Sequence, residues 1–201
     1  MRNDRVSFFF KALLGGVLAG FSIFQAGPLF MPIGLSLLWS CSEKSWSAFV
    51  WGVTAVLISH KWILSLHPLT WIGVPSIISL PLSILLWIAC GMIGGAVIGI
   101  WSFISNNFSL YQSRNIQSPQ RFFSAVVLSS LWGLGEACLA RSSFFWIGIE
   151  SSLLPGDRIL AGLSRLIGPG GLATIQLLIG WWIFQVFISY RRRFDFNKII
   201  I

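Results

Sequence analysis

Residues 77–104 read IISLPLSILLWIACGMIGGAVIGIWSFI, a run of 28 residues without a charged side chain. A helix of about 20 apolar residues is long enough to cross the hydrocarbon core of a bilayer. Backbone amides in lipid must find their hydrogen-bond partners within the segment, which leaves a helix as the solution for a run of this length. The stretch therefore predicts a membrane-spanning helix.

Further apolar runs lie on both sides of this one. Of the 201 residues, 55% are hydrophobic and only 10% are charged, whereas a typical soluble domain has about 25% charged residues. We therefore predict an all-α integral membrane protein, a polytopic helical bundle of about six spans in one transmembrane domain, residues 1–201. The predicted spans are 8–26, 28–41, 46–66, 77–104, 122–140 and 170–190, of which the second is short and follows a Gly-Pro break.

The basic residues predict the orientation of the bundle. Lys and Arg accumulate in cytoplasmic segments, and the loops here favour an arrangement with both termini inside (N-in/C-in). The sequence pI of about 10.3 therefore reflects topology, and we predict no binding to nucleic acid. The inside segments hold Arg2, Arg5, Lys11, Lys44, Arg114, Arg121, Arg191, Arg192, Arg193 and Lys198, and the outside segments hold Lys61, Arg141, Arg158 and Arg165.

Small and aromatic residues indicate how the helices associate. Gly16 and Gly20 form one GxxxG motif, and Gly91, Gly95 and Gly99 form two that overlap. Such motifs let helix backbones approach closely, and we favour packing within the bundle over a dimer face. Most of the tryptophans near span ends are predicted to lie in the interfacial belt; they are Trp39, Trp46, Trp62, Trp71, Trp101, Trp181 and Trp182.

No pattern in the chain predicts a catalytic centre, a metal site or a cofactor. Cys41, Cys90 and Cys138 are scattered without a CxxC motif and are interpreted as small packing residues. His60 and His67 lack the third ligand that a zinc site would need. The sequence also has neither a phosphate-binding P-loop nor a dinucleotide fingerprint.

Glu136 is the acidic residue that stands out, because it lies late in the fifth predicted span. A carboxyl group inside a membrane is costly and normally faces the bundle or a wet cavity, where it finds a partner. Two interpretations remain open for it. Glu136 contacts a lipid headgroup or substrate, or it forms an ion pair with Arg141 or Arg165 that orders the outer loop. That loop, 141–169, is predicted to hold a short interfacial helix, with Leu160, Leu163 and Ile167 on one face.

Several motifs resemble, in order, the N-terminal membrane domain of the apolipoprotein N-acyltransferases. Leu131-Trp-Gly-Leu-Gly-Glu136 is similar to the Trp-x-x-x-Glu of that family, and Phe144-Phe-Trp-Ile-Gly148 resembles its Phe-Pro-Trp-Leu-x-x-Gly, with Phe145 in place of proline. The other similar stretches are Leu14-Gly-Gly-Val-Leu-Ala-Gly-Phe-Ser, Trp62-Ile-Leu-Ser-Leu-His-Pro-Leu and Leu160-Ala-Gly-Leu-Ser-Arg-Leu-Ile-Gly-Pro-Gly-Gly.

The resemblance implies a role in bacterial lipoprotein maturation at the plasma (inner) membrane. Members of the family move an acyl chain from a phospholipid to the N-terminal amine of an apolipoprotein, through a cysteine thioester and a Glu-Lys-Cys triad. That triad lies in a nitrilase-like domain, which we expect to be absent from this chain. The resemblance places Trp146 near the lipid-facing entrance, with Glu136 and Arg141 beside the lipid. Trp62, Gly148 and Arg165 are expected to have structural roles in the outer loops.

Three functional hypotheses follow from these observations. The first is that the chain is the membrane portion of such an acyltransferase, either truncated or half of a split enzyme. In that case it is inactive alone, and its partners are phospholipid, an apolipoprotein and a separate nitrilase-like chain. The second is a small channel or transporter with Glu136 lining the path. The third is an inactive remnant.

Overall fold

The computed structural model describes residues 2–26, 29–107, 119–141, 147–153 and 158–199. In those ranges the chain is helical apart from turns and short connecting segments, and the predicted all-α membrane bundle is confirmed. Six α-helices follow one another in the described residues. They are α1 (Arg2–Phe21), α2 (Met31–Cys41), α3 (Ser45–Ser59), α4 (Ser76–Asn107), α5 (Pro119–Ala140) and α6 (Arg158–Ile199).

Within the described ranges, four helical stretches are long and apolar enough to cross a membrane. They are Arg5–Phe24, Ser76–Asn107, Pro119–Ala140 and Gly162–Tyr190. Helices α2 and α3 are shorter, with 11 and 15 residues. The number of spans therefore stays a prediction, as do the N-in/C-in orientation and the single domain over the whole chain.

Short irregular turns extend or interrupt these helices. Helix α1 continues into a π-helical turn, Ser22–Ala26, and α3 is followed by a 3₁₀ turn, Lys61–Leu66. Helix α6 consists of two helical stretches joined at a kink, because Gly168 has φ 69° and Pro169 follows it. A left-handed φ suits glycine, and proline cannot donate the backbone hydrogen bond that would continue the first stretch.

Glycines set the spacing between the helices. A side chain at Gly16 or Gly20 would collide with Thr54 or Ile58 of α3. Gly52 of α3 faces Gly95 of α4, and a Cβ atom at Gly52 would lie 2.9 Å from the Cα atom of Gly95. Gly91, Gly95 and Gly99 likewise face α3. The prediction that the GxxxG motifs serve packing within the bundle is confirmed.

Buried tryptophans link helices through their indole N–H groups. The Nε1 atoms of Trp39, Trp51 and Trp101 each donate a 3.0 Å hydrogen bond to a backbone carbonyl of another helix. Hydrocarbon offers no acceptor, so a buried indole is most stable when the bundle supplies one. The acceptors are the carbonyl oxygens of Leu177, Gly34 and Leu128, respectively.

This arrangement corrects two of the interfacial assignments. Trp39 is only 2% exposed and Trp101 only 4%, so the belt prediction is wrong for both. Their rings pack edge to face, with centroids 5.1 Å apart. Position near a span end does not determine whether an indole faces lipid or the bundle, because both surroundings are apolar. The exposed side chains of Trp46, Trp62, Trp71 and Trp182 remain compatible with the belt.

Replacing Trp51 with phenylalanine should destabilise the α2–α3 contact. The substitution removes the hydrogen bond to the Gly34 carbonyl and leaves unfilled volume beside Gly15, whose backbone packs against this indole. We expect the free energy of unfolding to fall by about 2 kcal/mol, measured by thermal unfolding in detergent. Trp71→Phe is the control, because Trp71 is 70% exposed. An equal loss in both variants would contradict this role for Trp51.

Candidate functional site

The carboxyl group of Glu136 lies buried at the C-terminal end of α5, where its side chain is 4% exposed. Its Oε1 atom accepts two hydrogen bonds, from Trp132 Nε1 at 2.9 Å and from the backbone N–H of Ile149 at 3.1 Å. Trp132 lies four residues earlier, so the two side chains share one face of the helix. Glu136 therefore connects its own helix to the segment that follows α5.

That segment contains a 3₁₀ turn, Ile149–Leu153, which approaches α5 closely because residue 148 is glycine. A Cβ atom at Gly148 would lie 2.6 Å from Glu136 Oε2 and would also collide with the Glu150 carboxyl. No side chain larger than hydrogen fits there without displacing one of the two carboxyl groups. The sequence predicted a structural role for Gly148, and this geometry gives that role a physical basis.

A second polar contact holds the same turn against α6. Gln176, 3% exposed, donates through Nε2 to Ser152 Oγ at 2.9 Å. Ser152 Oγ in turn donates to the Ile149 carbonyl at 2.8 Å. The turn Ile149–Leu153 is therefore attached to α5 through Glu136 and to α6 through Gln176.

Acceptor oxygens exceed donors around this turn. Among the described residues, the Oε2 atoms of Glu136 and Glu150 and the Oε1 atom of Gln176 are buried without a hydrogen-bond partner. Within the same ranges, no ion pair joins Glu136 to Arg141 or Arg165, whose side chains are exposed. Hydrogen bonds from an indole and a backbone amide take the place of the ion pair that one of the two interpretations of the sequence offered.

The remaining predicted site residues lie in different places. Arg141 is in the turn directly after α5, Arg165 is on α6, and Trp62 is in the 3₁₀ turn Lys61–Leu66. All three side chains are exposed, so the structure does not bury them with Glu136. Trp146 lies outside the described residues. Of the predicted set, the structure brings Glu136 and Gly148 into contact.

Sequence reasoning missed Glu150, Ser152 and Gln176, and it quoted Trp132 within a motif without giving it a contact. A signal for Gln176 was present, since it is a polar residue inside the apolar run 172–183, and polar residues within spans normally face the bundle. Glu150 and Ser152 carried no comparable signal, because polar residues are ordinary in a loop.

The two histidines have separate partners. His67 Nδ1 lies 2.8 Å from Ser79 Oγ, whereas His60 Nδ1 lies 2.9 Å from Ser59 Oγ. Within the described ranges, no group of three or more His, Cys, Asp or Glu side chains has the arrangement of a metal site.

Comparison with known proteins identifies relatives over nearly the whole chain. The chain is 44% identical over 189 residues to an apolipoprotein N-acyltransferase of Prochlorococcus marinus strain MIT 9313, covering 94% of this chain and 38% of the relative. It is 44% identical over 183 residues to the apolipoprotein N-acyltransferase of Parasynechococcus marenigrum, covering 91% and 38%. That of Thermosynechococcus vestitus is 28% identical over 148 residues, covering 71% and 28%.

The chain thus spans less than two fifths of the length of these three relatives. No protein-family model matches it, and no solved structure matches it significantly.

Proposed function

Because the chain is homologous to a portion of the apolipoprotein N-acyltransferases, consistent with their N-terminal membrane portion, we propose that it performs the membrane role of such an enzyme. In this role it holds phospholipid beside the site of acyl transfer to an apolipoprotein, in the bacterial plasma membrane. The observation that carries the proposal is 44% identity sustained over 94% of the chain. The all-α membrane bundle is the architecture that this role requires.

Within this role, Glu136 is a positioning residue. Its hydrogen bond fixes the backbone N–H of Ile149, three residues after Trp146, which we propose lies at the lipid-facing entrance. Glu136 therefore fixes the backbone at Ile149, after Trp146. Arg141, exposed one turn beyond Glu136, is proposed to meet the anionic lipid headgroup, and Trp62 and Arg165 to support the outer loops.

We further propose that residues 1–201 do not catalyse acyl transfer alone but act with a nitrilase-like catalytic domain, carried on a separate chain or a longer one. None of the three cysteines matches the catalytic nucleophile of the family. Cys41 is buried on α2, Cys90 is half-buried on α4, and Cys138 is exposed on α5, so the thiols are distributed over three helices. A thioester mechanism needs a thiol beside a general base.

Complementation tests this proposal. In a bacterium depleted of its own apolipoprotein N-acyltransferase, we expect the 201-residue chain alone to restore neither growth nor N-acylated lipoprotein. A chimera in which this chain replaces the matching region of the Prochlorococcus marinus relative should restore both. An immunoblot of the membrane fraction controls for expression. Growth with correctly acylated lipoprotein from the chain alone would refute the dependence on a catalytic domain, and a well-expressed but inactive chimera would refute the membrane role.

A further inference from the structure

An apolar groove of about 210 Å³ lies between α4 and α5, beside Glu136. The two helices touch over a small area, where Trp101 of α4 reaches Leu128 of α5, and they leave a cleft next to that contact. Its walls are formed by Val97, Ile100 and Ile104 of α4 and by Leu131, Gly135 and Leu139 of α5.

Two indole rings, Trp101 and Trp132, also line this groove and offer it no free hydrogen-bonding group. The rings meet edge to face, with centroids 5.2 Å apart. The N–H of Trp101 is bonded to the Leu128 carbonyl and that of Trp132 to Glu136 Oε1. The groove therefore presents carbon surface to whatever occupies it, and a polar ligand would lose its own hydrogen bonds on entering.

The groove is continuous with the surface that hydrocarbon covers. Both α4 and α5 are long and apolar enough to span the membrane, and Ile100 and Leu131 are exposed at its walls. Phe103 on α4 and Leu134 on α5 extend the same apolar surface on either side. Lipid chains are the apolar molecules that surround such a surface.

The dimensions favour a thin, flexible occupant. A groove of about 210 Å³ suits a narrow chain of methylene groups, whereas a packed helix with its side chains is about 10–12 Å across. An acyl chain is narrow and conforms to irregular surfaces. We propose that one acyl chain of a phospholipid lies in this groove, beside Trp101 and Trp132. The assignment rests on the proposed function and deepens it, since it names the part of the lipid that the membrane portion grips.

Packing selects the acyl chain in this site. The groove and the bilayer interior are equally apolar, so the hydrophobic effect does not favour moving an acyl chain from one into the other. The preference comes from dispersion contacts with the apolar side chains that line the groove. A chain held there lies beside Glu136, which belongs to the polar site described above.

Photolabelling in vesicles tests the assignment. The 201-residue chain is reconstituted in phosphatidylethanolamine–phosphatidylglycerol vesicles with a trace of phospholipid carrying a diazirine on one acyl chain. After irradiation, the labelled residues are mapped by mass spectrometry. We expect labelling at 97–104 and 131–139 to exceed that at Leu85 and Ile88, exposed residues of α4 away from the groove. Equal labelling at both places would overturn the proposal.

Two glycine variants complete the test. A Cβ atom at Gly135 would meet no atom within 4 Å, so Gly135→Leu fills the groove without a clash. Gly162 on α6 has equally open surroundings, and Gly162→Leu is the matched control. Groove labelling should be mostly lost in Gly135→Leu and unchanged in Gly162→Leu, with thermal unfolding confirming that both variants fold. Undiminished labelling in Gly135→Leu would overturn the proposal.

Additional measurements separate the other possible occupants. Loss of groove labelling when a diacylated lipopeptide is added would assign the groove to the chains of the apolipoprotein, against the proposal. A dimer in detergent that Gly135→Leu dissociates would assign it to a second copy, also against the proposal. If groove labelling fails while the chimera still complements, the groove assignment falls and the membrane role stands. If the groove is labelled but the chimera does not complement, the groove assignment stands and the membrane role falls.

Discussion

Replacing Gly133 with leucine is expected to force α5 away from α6 and to abolish the native packing of the bundle. A Cβ atom at Gly133 would overlap the carbonyl oxygen of Gly170 and the hydroxyl of Thr174. The contact is reciprocal, because a Cβ atom at Gly170 would overlap the carbonyl of Gly133. The two helix backbones are in direct contact at this point.

The expected penalty is large because the obstructing atoms cannot move aside independently. Overpacking a core usually costs about 1–3 kcal/mol, when neighbouring side chains can adjust. Here the neighbours are backbone carbonyls and a threonine hydroxyl that donates to Gly170 O at 2.8 Å. We therefore expect Gly133→Leu to lower the free energy of unfolding by at least about 3 kcal/mol, the top of that range.

Gly135 supplies a matched control for this prediction. It lies on the same helix two residues away, and its Cβ position has no neighbour within 4 Å. Thermal unfolding in detergent should show a much lower midpoint, or no folded protein, for Gly133→Leu, and an unchanged midpoint for Gly135→Leu. Similar midpoints for the two leucine variants would contradict the close α5–α6 contact.

The same pair shows what the sequence reveals about helix packing and what it does not. The GxxxG motifs around Gly16 and Gly95 were recognisable because the spacing of four places both glycines on one helix face. Gly133 and Gly170 stand on different helices without such a motif. Their contact arises from the crossing of two distant segments, and a local pattern does not encode a crossing. Trp39 and Trp101 were misassigned for a related reason, since apolar periodicity does not separate lipid from bundle.

The site was predictable to a similar extent. Glu136 was identifiable because a carboxyl group within a span needs a partner, and Gly148 because it belongs to a recognisable motif. The motif that ends at Glu136 contained Trp132 without showing that it bonds to Glu136, and nothing in the sequence indicated Ile149. Sequence reasoning offered Arg141 and Arg165, which were predicted to lie on the same side of the membrane, whereas the structure uses the N–H groups of Trp132 and Ile149. A backbone amide carries no sequence signature, so every loop residue was an equal candidate.

Replacing Glu136 with leucine is therefore expected to be the most damaging change to the site itself. It leaves the indole N–H of Trp132 and the backbone N–H of Ile149 buried without an acceptor. Each orphaned donor costs about 1–3 kcal/mol, so the two together cost about 2–6 kcal/mol. The turn Ile149–Leu153 also loses its attachment to α5. Thermal unfolding and hydrogen exchange at the Ile149 amide measure the two effects separately.

Glu136→Gln distinguishes a structural role from a chemical one. The amide oxygen can still accept from Trp132 and Ile149, and its NH₂ group can donate toward Glu150 Oε2, an acceptor that now lacks a partner. We expect Glu136→Gln to be as stable as the unmodified chain and to protect the Ile149 amide equally. A glutamine variant as unstable as Glu136→Leu would contradict the hydrogen-bonding role.

The complementing chimera then separates the two interpretations that the sequence left open. If Glu136 only positions the segment after α5, Glu136→Gln supports growth and Glu136→Leu does not, because the hydrogen bonds survive in one variant and vanish in the other. If the carboxylate itself meets a headgroup or a substrate amine, Glu136→Gln folds normally and still fails to complement. We expect growth, since both hydrogen bonds that Glu136 accepts come from within the bundle and Glu136→Gln retains them.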